Sequence, residues 1–542
     1  MSSQTCGRSR IPCIASAGLV LVLVGGLALG GAQSASAAAA SPTPAATPAA
    51  TPAKTTKATT AKPAASLSAV HTRKEIHHLT STQITNYRKG VALMQSRSFD
   101  DPTSWIYQAN MHGFPTNNAI CPVVGTPQPQ WSTCQHGSFF FLAWHRMYLY
   151  YFERILQAAI RQAIGNPTYS FSLPFWNYEN AAFRTLPEPF RNPADSSNPL
   201  FVAQRTSNCN SGGPCISAST ASDSVAMGLI PFCSCSGGSC TGCTTGISSD
   251  ESFGGGFVSA PTHSGSVPGE LELQPHGVVH NAVGGSTGWM SFFTCAARDP
   301  IFWLHHANID RLWQVWLNQT GGRKNPISNT EWATQTFTFF DENKNAVTMT
   351  GCQILNMATQ LHYKYEGVSV TNIQLCGGAG VAAEAPPPPA APPKTLAATS
   401  VGETKLGNTA VDVTVSLPAE VGAHMKSLVA KPPKRGHLRV AVEGIKVLNP
   451  GAIYQVYLNL QAGQKPDPAG PSFLGNIAIF ADPEHAEAIT RTFDLSRKTK
   501  AMAGKGEVKL TFVRERLGKA GVAPTGEPDS FLSFTRVSIL ER

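Results

Sequence analysis

Asp299-Pro300-Ile301-Phe302-Trp303-Leu304-His305-His306-Ala307-Asn308-Ile309-Asp310-Arg311-Leu312-Trp313 is the stretch that decides the fold. Its apolar residues recur with helical periodicity as far as Leu317, and Pro300 stands in the first turn, where a missing N–H costs nothing. A second run, Phe139 to Ile164, has the same helical texture and stops at Gly165-Asn166-Pro167. Both predicted helices carry histidine among large aromatics: His145 in one, His305 and His306 in the other.

Four more histidines stand near these helices in the chain. His112 follows Met111, and His136 lies two residues after Cys134. His276 and His280 are four apart, which puts both imidazoles on one helical face, one turn apart, as two ligands of one metal require. His306 would come to them from the next helix. His136 and His145 are nine apart and cannot share one face of a straight helix, so His136 is expected just before the helix and His145 within it. Any one of these histidines alone reads as an ordinary, partly buried side chain. Six of them in two triplets, with no carboxylate or cysteine completing either, read as imidazole sites with one position open at each metal. A pair of copper ions that takes up dioxygen needs that arrangement.

These residues carry a resemblance to a known family. Asp299 to Trp313 resembles the copper B signature of tyrosinases, catechol oxidases and molluscan haemocyanins. Trp144-His145-Arg146-Met147-Tyr148-Leu149-Tyr150-Tyr151-Phe152-Glu153-Arg154 resembles the copper A helix of plant polyphenol oxidases. The resemblance runs from about Ser104 to Trp316. It implies two copper ions, one held by His112, His136 and His145, the other by His276, His280 and His306, with His305 set back from the metal. It also implies a thioether from Cys134 to His136 (the alternative being a disulfide to Cys121), a ring at Phe293 over one copper, and a water-holding carboxylate at Glu272. Many tyrosinases have Asn after the first copper B histidine, where it helps orient the water that deprotonates monophenols. Here that residue is Gly277, and Asn281 follows the second histidine instead. The resemblance therefore implies oxidation of o-diphenols to o-quinones with dioxygen, with monophenol hydroxylation in doubt. An o-aminophenol oxidase and a haemocyanin-like oxygen carrier are the other readings of the same ligands.

The chain has 542 residues and a formal net charge of +9, from 42 Lys+Arg against 33 Asp+Glu. The excess forms no basic stripe interleaved with aromatics, which argues against nucleic-acid binding. Arg8 and Arg10, the apolar run Ile14–Ala32 and the small residues Ala35-Ser36-Ala37 read as a secretory signal, residues 1–37, cut near Ala37. The expected location is extracytoplasmic, without stable membrane insertion. The alternative is an uncleaved anchor, since about 18 apolar residues can span a bilayer. Residues 38–70, rich in Ala, Thr and Pro, read as a disordered spacer. Residues 71–380 are the expected catalytic domain, a four-helix bundle with long loops in a mainly α fold. Two of its helices would bring the copper A ligands and two the copper B ligands. Residues 381–399 are a proline-rich connector.

Residues 400–542 alternate as half-buried strands do, for example Val411-Asp412-Val413-Thr414-Val415, and read as an all-β sandwich of about seven strands. This part weakly resembles the shielding domain of plant polyphenol oxidases. Phe473, in a glycine-flanked loop, is the candidate plug for the copper site. Of 13 cysteines, Cys6 and Cys13 leave with the signal. The remaining eleven are odd in number, as five disulfides and a thioether at Cys134 require. Cys233, Cys235, Cys240 and Cys243 could bind zinc, but disulfides are expected in an exported chain.

Overall fold

Helices form over both stretches whose apolar period called for them, Phe141–Ile164 and Ile301–Leu317, and over others besides. We label them α1 (Ser81–Gln95), α2 (Trp105–His112), α3 (Phe141–Ile164), α4 (Val278–Gly284), α5 (Ile301–Leu317) and α6 (Ala419–Ala430). The structure, a computed structural model, describes residues 70–236, 240–377, 392–481, 483, 486–516 and 527–542. All of them belong to one unit spanning Ser66–Arg542. The signal and spacer readings fall outside the described residues, as does most of the connector. Among the described residues no helix is long and apolar enough to cross a membrane.

Helix α3 ends on Gly165 in the left-handed region, φ 66°, where a residue without Cβ closes the last turn at no steric cost. Helix α5 begins after Pro300, with the Ile301 N–H donating to the Asp299 carboxylate at 3.0 Å. The two helices are tied through a buried network. The Arg146 guanidinium donates to Asp310 Oδ1 at 2.5 Å and lies 3.7 Å over the Trp313 ring. Tyr363 and Tyr365 donate their hydroxyls to Asp310 Oδ2 at 2.6 and 2.7 Å. Arg146 follows His145 directly and Asp310 lies one turn beyond His306, so this pairing sets the register between the two histidine-bearing helices. A carboxylate buried this deeply is stable only with each lone pair occupied, which makes the register specific.

Among its described residues the C-terminal part has eight strands: β1 (Lys394–Gly407), β2 (Val411–Ser416), β3 (Leu438–Val447), β4 (Tyr454–Leu458), β5 (Phe473–Ile477), β6 (Ile489–Asp494), β7 (Glu507–Arg514) and β8 (Ser530–Glu541). They form two four-stranded antiparallel sheets, in the orders β6-β3-β8-β1 and β5-β4-β7-β2. The expectation of about seven strands and no helix is corrected on two points. Strand β1 begins at Lys394, inside the stretch expected to be connector. Helix α6 interrupts the strands, burying Val421, Gly422 and Met425.

The two halves are joined by a charged interface. Arg491 pairs with Glu270, Arg439 with Glu251, and Arg542 grips Glu251 with two bonds of 2.8 Å. The Thr492 N–H donates to Asp250 at 2.6 Å. Leu273, just before the His276 segment, packs into the apolar core of the β part.

Candidate metal centre

Six imidazoles from five segments of the chain meet in one buried space. His112 is the last residue of α2, His136 lies in the loop before α3, and His145 is in its first turns. Gln274 breaks the preceding turn with an extended backbone. From Pro275 the chain is helical into α4, so His276 and His280 share a face as their spacing required. His305 and His306 are in α5. Within the first triplet the ring centroids are 4.9–5.7 Å apart, and within the second 4.7–5.4 Å. His145 and His306 join the two sets, stacked at 4.5 Å.

Hydrogen bonds aim these rings. The Nδ1 atoms of His112, His145, His276 and His280 lie 3.0, 2.8, 3.0 and 2.7 Å from the carbonyl oxygens of Phe293, Phe141, Glu272 and Met290. A carbonyl can only accept, so each Nδ1 carries its proton and each Nε2 presents a lone pair. The Nε2 atoms of His112, His136, His145 and His276 are buried without a hydrogen-bond partner. Orphaned buried acceptors cost free energy unless something fills them, and their common focus fits a metal. Burial first, and then neighbouring histidines, hold His112, His136 and His306 well below the ordinary imidazole range; burial brings His276 down to about 3. Neutral imidazole is the ligand form.

The ligand atoms of His276, His280, His305 and His306 all lie within 4.8 Å of one another, as do those of His112, His145 and His306, and those of His112, Cys134 and His136. His306 therefore reaches both sets. His305 Nδ1 is 3.0 Å from the Tyr178 hydroxyl, a partner outside the cluster, while its Nε2 is buried without one.

The other candidate residues gather here too. Phe293 stands edge-on to His136, centroids 4.4 Å apart, and lies 5.1 Å from His112. Glu272 Oε1 accepts the Gly137 N–H at 2.7 Å, while Oε2 is buried without a partner. Burial pushes this carboxyl up to about 8. Cys134 is the one unpaired cysteine among the described residues, with Sγ 3.4 Å from His136 Nδ1. The disulfide alternative for it is excluded because Cys121 pairs with Cys295. The other pairs are Cys209–Cys215, Cys233–Cys243, Cys235–Cys240 and Cys352–Cys376, so the zinc alternative also falls. Asn281 does not face the histidines. Its amide donates to Ala452 and Ile479 carbonyls of the β part, at 3.1 and 3.4 Å.

Residues 102–228 and 242–319 match the common central domain of tyrosinase, and residues 326–374 the polyphenol oxidase middle domain. The chain therefore carries the central domain of the tyrosinase family, followed by a polyphenol oxidase middle domain. Over 295 residues it is 38% identical to a tyrosinase of Hahella sp. (strain CCB-MM4), covering 51% of the chain and 59% of that protein. It is 31% identical over 321 residues to the latent form of a chloroplastic polyphenol oxidase of Prunus armeniaca, covering 57% of the chain and 50% of that protein. The chain thus spans between half and three-fifths of the length of these relatives. Among solved structures it shares the fold of latent apple tyrosinase, at 21% identity and TM-score 0.56 over 88% of this chain and 98% of that one. A latent aurone synthase gives TM-score 0.55 at 24% identity, over 88% and 90%.

Phe473, the expected plug, is not at the metal centre of this tyrosinase-family fold. It opens β5, packs 5.5 Å from the Tyr457 ring and lines an interface cavity of about 720 Å³. The ring at the centre is Phe480, just beyond β5. It stacks on His280 at 3.8 Å, lies 5.5 Å from Phe293 and 5.6–6.2 Å from His276, His136 and His112. What space remains beside it, lined by His136, Glu272 and Ala478 among others, is about 30 Å³. The signal for Phe480 was in the chain: Ile477-Ala478-Ile479-Phe480-Ala481 is an apolar run that continues past its strand.

Proposed function

We propose that this chain is a type 3 dicopper polyphenol oxidase that converts o-diphenols (catechols) to o-quinones with dioxygen, held latent by its C-terminal β part. The observation that carries the reading is the convergence of six buried, neutral imidazoles, four with unpartnered Nε2 atoms. His112, His136 and His145 would hold one copper, and His276, His280 and His306 the other. When bound, the pair supplies the route by which two electrons from each of two catechols reduce dioxygen to water.

The chain's own residues do the rest. The four backbone carbonyls hold the imidazoles in one tautomer. Phe293 offers an edge against which a phenol ring can pack. Glu272, whose Oε2 is buried without a partner, would take a phenolic proton once ionised. A thioether between Cys134 and His136 would lock that imidazole plane; the S–H and ring C–H bonds break as S–C forms, and dioxygen takes the two electrons. Gly277 offers no amide to orient a water for monophenol deprotonation, so catechols are the favoured substrates and ortho-hydroxylation is at most secondary. Phe480 would occupy the place of the substrate ring until the β part is displaced. The five disulfides fit an exported protein.

Oxygen uptake by the copper-loaded chain, with catechol, tyrosine and an o-aminophenol before and after connector cleavage, tests the proposal. Catechol should be consumed fastest. Reversible oxygen binding without turnover would make the protein a carrier, and a preference for the aminophenol would reassign the substrate.

A further inference from the structure

Gly277 is a helical residue, φ −63° and ψ −34°, so its backbone makes no demand for glycine. Glycine is a poor choice in a helix, because it loses the most conformational freedom on folding. The space around it supplies a reason. A Cβ at 277 would lie 3.4 Å from the Glu272 carbonyl oxygen, 3.5 Å from the Ala478 carbonyl oxygen and 3.5 Å from Phe480 Cβ. Those are ordinary contacts, so a single methyl fits. A branched side chain would meet the segment that carries Phe480.

The same side of the helix holds that segment along its length. Val278 and Ala282 pack with Ile453 and Ala478 in a small apolar cluster, and Asn281 donates to Ala452 and Ile479. Residues 277, 278, 281 and 282 thus face the β part, while His276 and His280 face the metal centre.

We propose that Gly277 is the seat of the shield: the absence of a side chain there lets Ala478–Phe480 close on the histidines, and a branched side chain would break latency from within the full-length chain. This rests on the shielding reading above, and two readouts separate the two. One is hydrogen–deuterium exchange of peptides covering 473–481 in the full-length, copper-loaded protein. The other is catechol turnover per bound copper in the same sample. Gly277→Val should speed exchange in 473–481 several-fold and raise turnover several-fold; Gly277→Ala should match the unmodified protein in exchange. If Gly277→Val does not fold, Gly277→Leu is read in the same way. Unchanged exchange in the bulky variant overturns the seat, whether or not turnover rises, because residue 277 would then act on substrate alone. Loosening by the alanine overturns it too, since that methyl has room. Faster exchange without faster turnover supports the seat and refutes shielding as the cause of latency.

Discussion

The ring of Phe480 lies flat on the imidazole of His280, centroids 3.8 Å apart and planes 15° from parallel. One residue follows a strand of the β part and the other is a candidate copper ligand, so this contact joins the two halves of the protein at its reactive centre. Phe480→Ala in the full-length chain should raise catechol turnover several-fold with copper content unchanged. Phe473→Ala, at the interface cavity, should not. Equal rates for Phe480→Ala and the unmodified protein would mean the ring does not block substrate.

Copper-loaded protein should contain two coppers per chain by elemental analysis. His306→Ala should lose copper and oxidase activity while keeping the fold by circular dichroism, because His306 lies within reach of both sets of imidazoles. His305→Ala should be milder, since its Nδ1 lies against the Tyr178 hydroxyl, outside the cluster. The reverse ranking would reassign the ligand.

Gly277→Asn should raise the ratio of tyramine to catechol turnover by supplying the missing amide beside His276. The comparison belongs in protein freed of its β part, because any side chain at 277 points toward Ala478 and Phe480. An unchanged ratio there, at equal copper, would show that the position does not govern monophenol chemistry.

Cys134 should form its thioether only when copper and oxygen are present. The single peptide containing both Cys134 and His136 should be two hydrogen masses lighter than the unlinked form, and Cys134→Ser should abolish the difference. Equal masses before and after copper loading would leave Cys134 a plain thiol.

Glu153 anchors the middle of α3 to the start of the folded region, accepting from Arg73 at 2.8 Å and the Leu173 N–H at 2.7 Å, with His71 Nε2 at 2.6 Å. Burial alone would raise its carboxyl, but Arg73 and His71 outweigh that and hold it down at about 2. Its folded value lies below the unfolded one of about 4.3, so its stabilisation is complete above that value and is lost as pH falls toward 2. Glu153→Gln leaves buried Arg73 with only Asp310, 3.6 Å away, as a charge partner, and should cost about 3 kcal/mol at neutral pH in denaturant unfolding. It should also flatten the acid limb of the stability profile. A loss that did not shrink with acidification would point to packing rather than charge.

Local rules carried much of this protein. The two long helices, the place of each histidine before or within them, and the odd cysteine at 134 were all legible in the chain, because helical period, breaker residues and ligand spacing act over a few residues. Tertiary structure alone decided the rest. Cys121 pairs with Cys295 across 174 positions, and loop composition says nothing about which sulfurs will meet. Loop composition points to Phe473 and not to Phe480. Yet a blocking ring is defined by what lies across an interface: Glu270 and Glu251 gripping Arg491, Arg439 and Arg542, and a glycine leaving room beneath. Those contacts join residues more than 150 positions apart, and only the packing of the β sheets against α4 brings them together.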